Sequence, residues 1–422
     1  MIEKHTIFLF LKMSMTQLPA NPMQSSFILG DITFLVGLQF QAGYKIQNAL
    51  NFFQKTLIPL RLKYEDGYFI PTNTSPSIHH IQNFKSIREA SDFVDLNVRP
   101  RFNHELGLMA YNDNQLILHL NHAACDGTFV KFLINNFENQ AIIQKVPQFL
   151  EDDFVVFKNE IANAPKTPPF FSNPLVLRTF QKLKPNVNKD RVSHQISFIP
   201  AHQFKLYDPI KNGPVKLTES MWLSVYFATC LNRNEFLKSI AVPTVCETRK
   251  WLPHPPNLSN GNHDSVIIPS IAQINENMTV EEIGKMLRND MNERFKRNEQ
   301  FSYLKELITP PSENPEPPLP GNIWSTSSVG PLTLKPPIED LWMNTSGKAM
   351  KSGSLCLLTY SICQPEKKRN DVVLNLQYDE NVWNEKEAKR MVDIFEYFYT
   401  KVSHKKKVKD VFDEMITRFP PL

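Results

Sequence analysis

The chain has 422 residues, 41% of them hydrophobic and 21% charged, a globular composition that excludes an intrinsically disordered protein. A formal charge of +4 is too small to point to nucleic acid as a partner, though it suits an anionic small molecule. The 13 glycines against 32 prolines argue against a glycine-rich nucleotide loop, and one core rarely exceeds roughly 250–300 residues, so two cores are expected.

At the N-terminus an apolar run at 7–11 stops at Lys12. A bilayer span needs about 20 apolar residues and a signal peptide roughly 7–15 with a cleavage site. No membrane span is expected, and Met1, Met13 and Met15 all stand as candidate starts. Residues 1–24 are taken as an extension. Ala49, Phe52, Phe53 and Leu57 recur at helical spacing, followed by Pro59 and a strand pair around Glu65, Asp66 and Gly67. His79 and His80 are neighbours, so on a strand they face opposite ways and do not pair as metal ligands.

Residues 114–122 read as a strand. Leu116, Leu118, Leu120 and His122 share one side, and Ile117, His119 and Asn121 share the other. The odd step between His119 and His122 excludes a local metal pair. After Gly127 the period changes, and Phe129, Phe132, Leu133 and Phe137 form one helical face. The proline-rich stretch 163–175 reads as a linker between a domain at 25–162 and one at 176–422.

Beyond it, a helix is expected within 213–233 and a strand within 238–253. Thr279 and Glu282 have the spacing of a capping box. Residues 309–320 form a second proline-dense loop. Val372, Leu374, Leu376 and Tyr378 alternate as a half-buried strand, and 384–402 reads as a long amphipathic helix. The lysine-rich run 404–410 reads as a solvated helix end. Five widely spaced cysteines without a CxxC pair (125, 230, 246, 356 and 363) read as free thiols, which places the protein in a reducing, cytoplasmic compartment.

The chemistry-bearing stretch is NHAACDG at 121–127. A histidine at a strand end can point into a cavity from a rigid backbone and accept a proton near neutral pH. The small residues Ala123, Ala124 and Cys125 leave it open, and Gly127 permits the turn into the helix. Asp126 stands to orient the ring or to hold the loop through an arginine. The alternative on these residues alone is a packed, hydrogen-bonded core histidine.

The block LHLNHAACDGTFVKFLIN resembles the HxxxDG block of the chloramphenicol acetyltransferase-like superfamily, which includes the condensation domains and the alcohol acetyltransferases. VPTVCETRKWLPHPPNLSNGN looks like that family's strand with an arginine, followed by a proline-containing loop and a Gly-Asn pair, Gly261 and Asn262. WSTSSVGPL looks like the strand and turn of the alcohol acetyltransferases, here Ser327-Ser328-Val329-Gly330. The likeness extends loosely over 25–402 and is sharp only at 115–137.

The resemblance implies an α/β fold of two sandwich domains, mixed sheets flanked by helices, with the site at their interface. It implies an acyl-CoA-dependent O- or N-acyltransferase with acyl-CoA or acetyl-CoA as co-substrate and no metal. The acceptor is a small alcohol or amine, and the protein is expected to be a monomer. His122 would be the general base and Asp126 structural, with Arg249 its candidate partner. Gly127 and Asn262 would support the loop, and Ser327 or Ser328 would donate to the oxyanion.

Two departures matter. Condensation domains carry a second histidine where this chain has Asn121, and the DFGWG motif of the plant branch is missing. The alcohol acetyltransferase-like branch is nearest in layout. A catalytically inactive relative that binds a ligand or a partner is the competing reading. A hydrolase lacks its GxSxG elbow here, and a kinase or dehydrogenase its glycine loop.

Overall fold

The computed structural model describes residues 17–72, 76–98, 105–139, 141, 150–167, 171–180, 192–253, 261–310, 317–348 and 355–421. The apolar run at 7–11 lies outside them, as do parts of the two proline-rich stretches. The chain divides into two compact units. The first takes the described residues up to Asp152, together with Gly261, Asn262 and Pro336–Ser346; the second takes the remainder. The expected division into 25–162 and 176–422 follows chain order, whereas the first unit is completed by two later segments.

In the first unit, helix α1 (Pro22–Leu29) leads into strand β1 (Thr33–Phe40), and helix α2 spans Ile46–Thr56. Strands β2 (Leu62–Glu65) and β3 (Tyr68–Pro71) form the hairpin expected around Asp66 and Gly67, both at positive φ. Strand β4 (Ser77–His80), helix α3 (Ile87–Phe93), strands β5 (Gly107–Tyr111) and β6 (Gln115–Asn121) and helix α4 (Gly127–Asn135) follow.

Among the described residues one five-stranded sheet organises this unit, in the order Ile338–Ser346, β1, β6, β5, β4. Its pairs are antiparallel except β4 with β5. Leu116 to Leu120 are all buried, so both faces of β6 are covered and the strand is not half-solvated. Helix α3 crosses one face at Gly37, where a Cβ would lie 2.6 Å from both Ile87 Cγ1 and Ser91 Oγ.

The second unit contains strand β7 (Ser193–Pro200), helix α5 (Leu217–Arg233), strands β8 (Thr244–Glu247) and β9 (Asp264–Ile267), and helix α6 (Val280–Lys296). Strands β10 (Asn322–Thr333), β11 (Leu355–Gln364) and β12 (Arg369–Tyr378) precede helices α7 (Glu385–Lys401) and α8 (Val408–Arg418). The sheet runs β9, β8, β10, β11, β12, β7, with Arg178–Thr179 pairing on β10. β8 with β10 and β10 with β11 are parallel, so the sheet is mixed. The capping box at Thr279 and Glu282 forms as its spacing predicts.

Two expectations are corrected. Val372 to Leu376 are all buried, so both faces of β12 are covered, with α7 packed on the sheet while β11 and β7 pair along the two edges. The lysine-rich run at 404–410 is a helix end only in part, because 404–407 form the connection and 408–410 the first turn of α8. Its lysines at 405–407 are exposed while His404 and Val408 are buried, and its backbone accepts and donates hydrogen bonds along the start of α6.

Gly37→Ala is expected to lower stability by about 1–3 kcal/mol in urea unfolding, because Ile87 and Ser91 must move. Burial, with a smaller push from Lys216, pulls His404 down to about 4. Between pH 6.5 and about 4 the unfolded chain therefore takes up a proton that the folded chain refuses, and stability falls as pH falls through that window. His404→Gln flattens that fall.

Candidate active site

The backbone places His122 before any side chain acts. Thr33 pairs with Asn121 across β1 and β6, and the His122 N–H donates to the Ile32 carbonyl at 2.9 Å. Strand β6 stops there because the chain enters a tight turn, His122–Ala124, capped by the Asn121 Oδ1 accepting from the Ala123 N–H at 2.9 Å. Ala123 and Ala124 are buried in a small apolar cluster with Ile58, Leu62, Phe69 and Leu106, so their size serves packing under the turn.

Asp126 is the N-cap of α4, its Oδ1 accepting from the Phe129 N–H at 2.9 Å. It is buried, and its charge sits at the positive end of the helix. Gly127 is the buried first residue of that helix.

The imidazole is half-buried and tightly bounded. Its Nδ1 lies 2.9 Å from the Cys125 carbonyl oxygen. A carbonyl only accepts, so this contact favours the tautomer with the proton on Nδ1 and the lone pair on Nε2. The amide nitrogen of Asn262, a donor near the same Nδ1, favours the reverse and is engaged more closely by the His122 carbonyl. Asn262 donates from Nδ2 to the His122 carbonyl at 2.6 Å, and the same nitrogen lies 3.0 Å from Nδ1. Phe27 stacks on the ring, with centroids 5.0 Å apart, and Phe34 meets it edge-on at 5.2 Å. Burial holds the His122 pKa below its ordinary value, partly offset by the Asp126 charge and the backbone carbonyls. The ring is therefore neutral at pH 7, the state a general base requires.

His122, Asp126, Gly127 and Asn262 thus fall in the first unit. Arg249, Ser327 and Ser328 belong to the second. Arg249 is buried at 1% exposure, with Nε 3.0 Å from Glu247 Oε1, so it is not a surface arginine. Ser327 is half-buried and Ser328 exposed on β10. The expected turn at Ser327-Ser328-Val329-Gly330 is instead a bulge within one strand, at the register shift between Ser328 and Gly330, where Gly330 takes φ 78°.

His119 faces Asp95, Nε2 to Oδ1 at 3.3 Å, and Asp95 in turn accepts from Ser346 Oγ at 2.8 Å. Among the described residues no cluster of three or more His, Cys, Asp or Glu fits a metal ion, and no helix is long and apolar enough to cross a membrane. All five cysteines are free thiols.

Sequence reasoning missed Phe27, which lies 95 positions from His122 and carries no local signature. It also missed a buried group in the second unit. There His263 Nδ1 lies 2.5 Å from Asp153 Oδ1, and Thr248 Oγ1 lies 2.5 Å from Asp153 Oδ2.

No family model matches the chain, and a search of curated proteins finds no match. Solved structures do match over nearly the whole length. The first condensation domain of the calcium-dependent antibiotic synthetase, in complex with a substrate analogue, superposes with TM-score 0.64 at 10% identity, covering 94% of this chain and 99% of that one. The starter condensation domain of rhizomide synthetase RzmA, in complex with C8-CoA, gives 0.59 at 9%, covering 96% and 99%. The chain has the condensation-domain fold.

This fold is of the chloramphenicol acetyltransferase-like class, as the HxxxDG resemblance implied. An epimerization domain, from the third module of tyrocidine synthetase B, shares it with TM-score 0.55 at 13% identity over 90% of this chain and 96% of that one. Within the condensation-domain fold, the histidine environment described above belongs to this chain's own residues.

Asp126→Asn is expected to lower the His122 pKa further, since the carboxylate is what partly restores the protonated ring. Imidazole NMR against pH reads that shift. The cap survives in the amide, so stability changes by no more than a few tenths of a kcal/mol from capping alone, against about 1 kcal/mol for Asp126→Ala.

Proposed function

We propose that this protein is an acyltransferase that moves an acyl group from a thioester donor, acyl-CoA, to a hydroxyl or amine of a small acceptor. The observation that carries the reading is the Nδ1 contact of His122 with the Cys125 carbonyl, which favours a neutral ring with its basic nitrogen at Nε2. Support for the donor comes from the RzmA starter domain, which holds C8-CoA on the same fold.

In this mechanism the acceptor oxygen or nitrogen attacks the thioester carbonyl while Nε2 of His122 takes its proton. The tetrahedral intermediate then collapses, the carbon–sulfur bond breaks, and the imidazolium returns the proton to the departing thiolate. No acyl-enzyme is required. The Nδ1–H bond to Cys125 strengthens as the ring becomes charged, so the carbonyl assists when positive charge develops.

Asp126 acts through the loop by capping α4. Arg249 is assigned a supporting role, and Ser327 and Ser328 are the oxyanion candidates. Positioned proton transfer of this kind contributes roughly 10²–10⁴-fold.

The test is thiol release from acetyl- to octanoyl-CoA with pooled alcohols and amines. His122→Ala is expected to lose about 10²-fold or more of the wild-type rate while keeping its circular dichroism spectrum. A folded His122→Ala protein with full rate overturns the assignment of the base. Ser327→Ala and Ser328→Ala separate the two oxyanion candidates by their effect on kcat.

A further inference from the structure

The contact of Nδ1 with the Cys125 carbonyl favours one tautomer of His122 only while the ring keeps its plane, and that plane is bounded by two aromatic rings. Phe27 is nearly parallel to that plane, at 16°, and Phe34 stands across its edge at 89°. Phe27 comes from α1, and α1 is pinned at its start. Asn21 Oδ1 accepts from the Gln24 N–H at 2.8 Å, and Gln24 Oε1 accepts from the Asn21 N–H at 2.9 Å. The Asn21 amide also donates to Asp152 Oδ1 at 3.0 Å. Phe27 itself rests on the cluster that contains Ala123 and Ala124. The turn that carries His122 and the ring that covers it therefore share one apolar floor.

We propose that Phe27 is a positioning residue for His122: its ring fixes the plane of the imidazole so that Nε2 is presented for proton transfer, and it keeps water off that face. The catalytic part of this rests on the acyl-transfer reading above, whereas the hold on the ring is readable without turnover. Phe34 is the less useful probe because it is a core residue of β1 at 3% exposure, while Phe27 is only partly buried.

The groups facing the imidazole make the effect interpretable. Neither α1 nor β1 carries a titratable side chain. Asn262 is neutral, Cys125 offers its carbonyl, and among the described residues Asp126 is the charged group that acts on the ring. Removing the Phe27 ring thus changes hydration and freedom of rotation and leaves charge alone. Water reaching the face favours the imidazolium, so the pKa rises toward its ordinary value.

The experiment uses the full chain as wild type, Phe27→Ala, Phe27→Leu and Phe27→Tyr, with His122→Gln to assign the imidazole nitrogens by ¹⁵N NMR. Wild type is expected to show the Nδ1–H tautomer and to titrate below 6.5. Phe27→Ala titrates closer to 6.5 with the tautomers mixed, and Phe27→Tyr, which keeps a flat ring, restores the wild-type signature. Phe27→Leu keeps apolar bulk without the ring plane, so it reports the same loss if the alanine variant fails to fold. An unchanged tautomer and titration in a folded alanine or leucine variant overturns the proposal.

With octanoyl-CoA and pooled acceptors, kcat is expected to fall roughly 10–100-fold in Phe27→Ala, the cost of a misplaced catalytic group. KM for octanoyl-CoA stays the same, the acid limb of the rate profile moves to higher pH, and Phe27→Tyr recovers both. A wild-type rate in a folded Phe27→Ala protein also overturns it. If wild type releases no thiol from any acyl-CoA while the NMR signature responds as stated, acyl transfer fails and the hold on the ring stands.

Discussion

One contact, His122 Nδ1 against the Cys125 carbonyl, anchors the arrangement around the histidine in the first unit. With the proton on that nitrogen, the state the carbonyl favours, the basic position of the ring is Nε2. Everything nearby serves the contact. The Thr33–Asn121 pairing ends the strand, the Asn121 cap tightens the turn, and Asp126 starts the helix that carries the chain away. Asn262 ties down the carbonyl of His122 itself at 2.6 Å.

The role of Asp126 follows from where its oxygens are spent. One accepts from the Phe129 N–H, and the carboxylate acts on His122 through its field, raising a pKa that burial depresses more strongly. The loss of water around the ring outweighs the nearby negative charge, so the imidazole stays neutral beside a carboxylate. A buried carboxylate that both caps a helix and tunes a neighbour's proton affinity is an economical use of a group that is costly to bury.

Local features were legible in the sequence because they depend on spacing. The period change after Gly127 marked α4, the Glu65-Asp66-Gly67 turn marked the β2–β3 hairpin, and Thr279 with Glu282 marked the start of α6. Burial on both faces of β6 and β12 was not legible, since an alternating pattern is silent about what covers the polar side. His119 and Asn375 look solvent-facing by alternation and are buried with polar partners or neighbours. The Ser327–Gly330 bulge was read as a turn through the family resemblance, and only the pairing with β11 shows that the strand continues through it. Phe27 was invisible for a further reason, because it reaches His122 across a long stretch of chain. Asn262 was singled out through the family resemblance, and only its partner, the His122 carbonyl, was not.

The strand Ile338–Ser346 carries a practical consequence. It covers the outer edge of β1 along almost its entire length, from Thr33 against Ser346 to Phe40 against Ile338. A fragment ending near Asp152 would expose TFLVGLQF as an unprotected sheet margin without charge or proline, the kind of edge that recruits other chains. The half of the protein that carries His122 is therefore not portable as an N-terminal piece. Splitting or swapping it demands that the late strand be carried along, grafted back through a loop or supplied in trans.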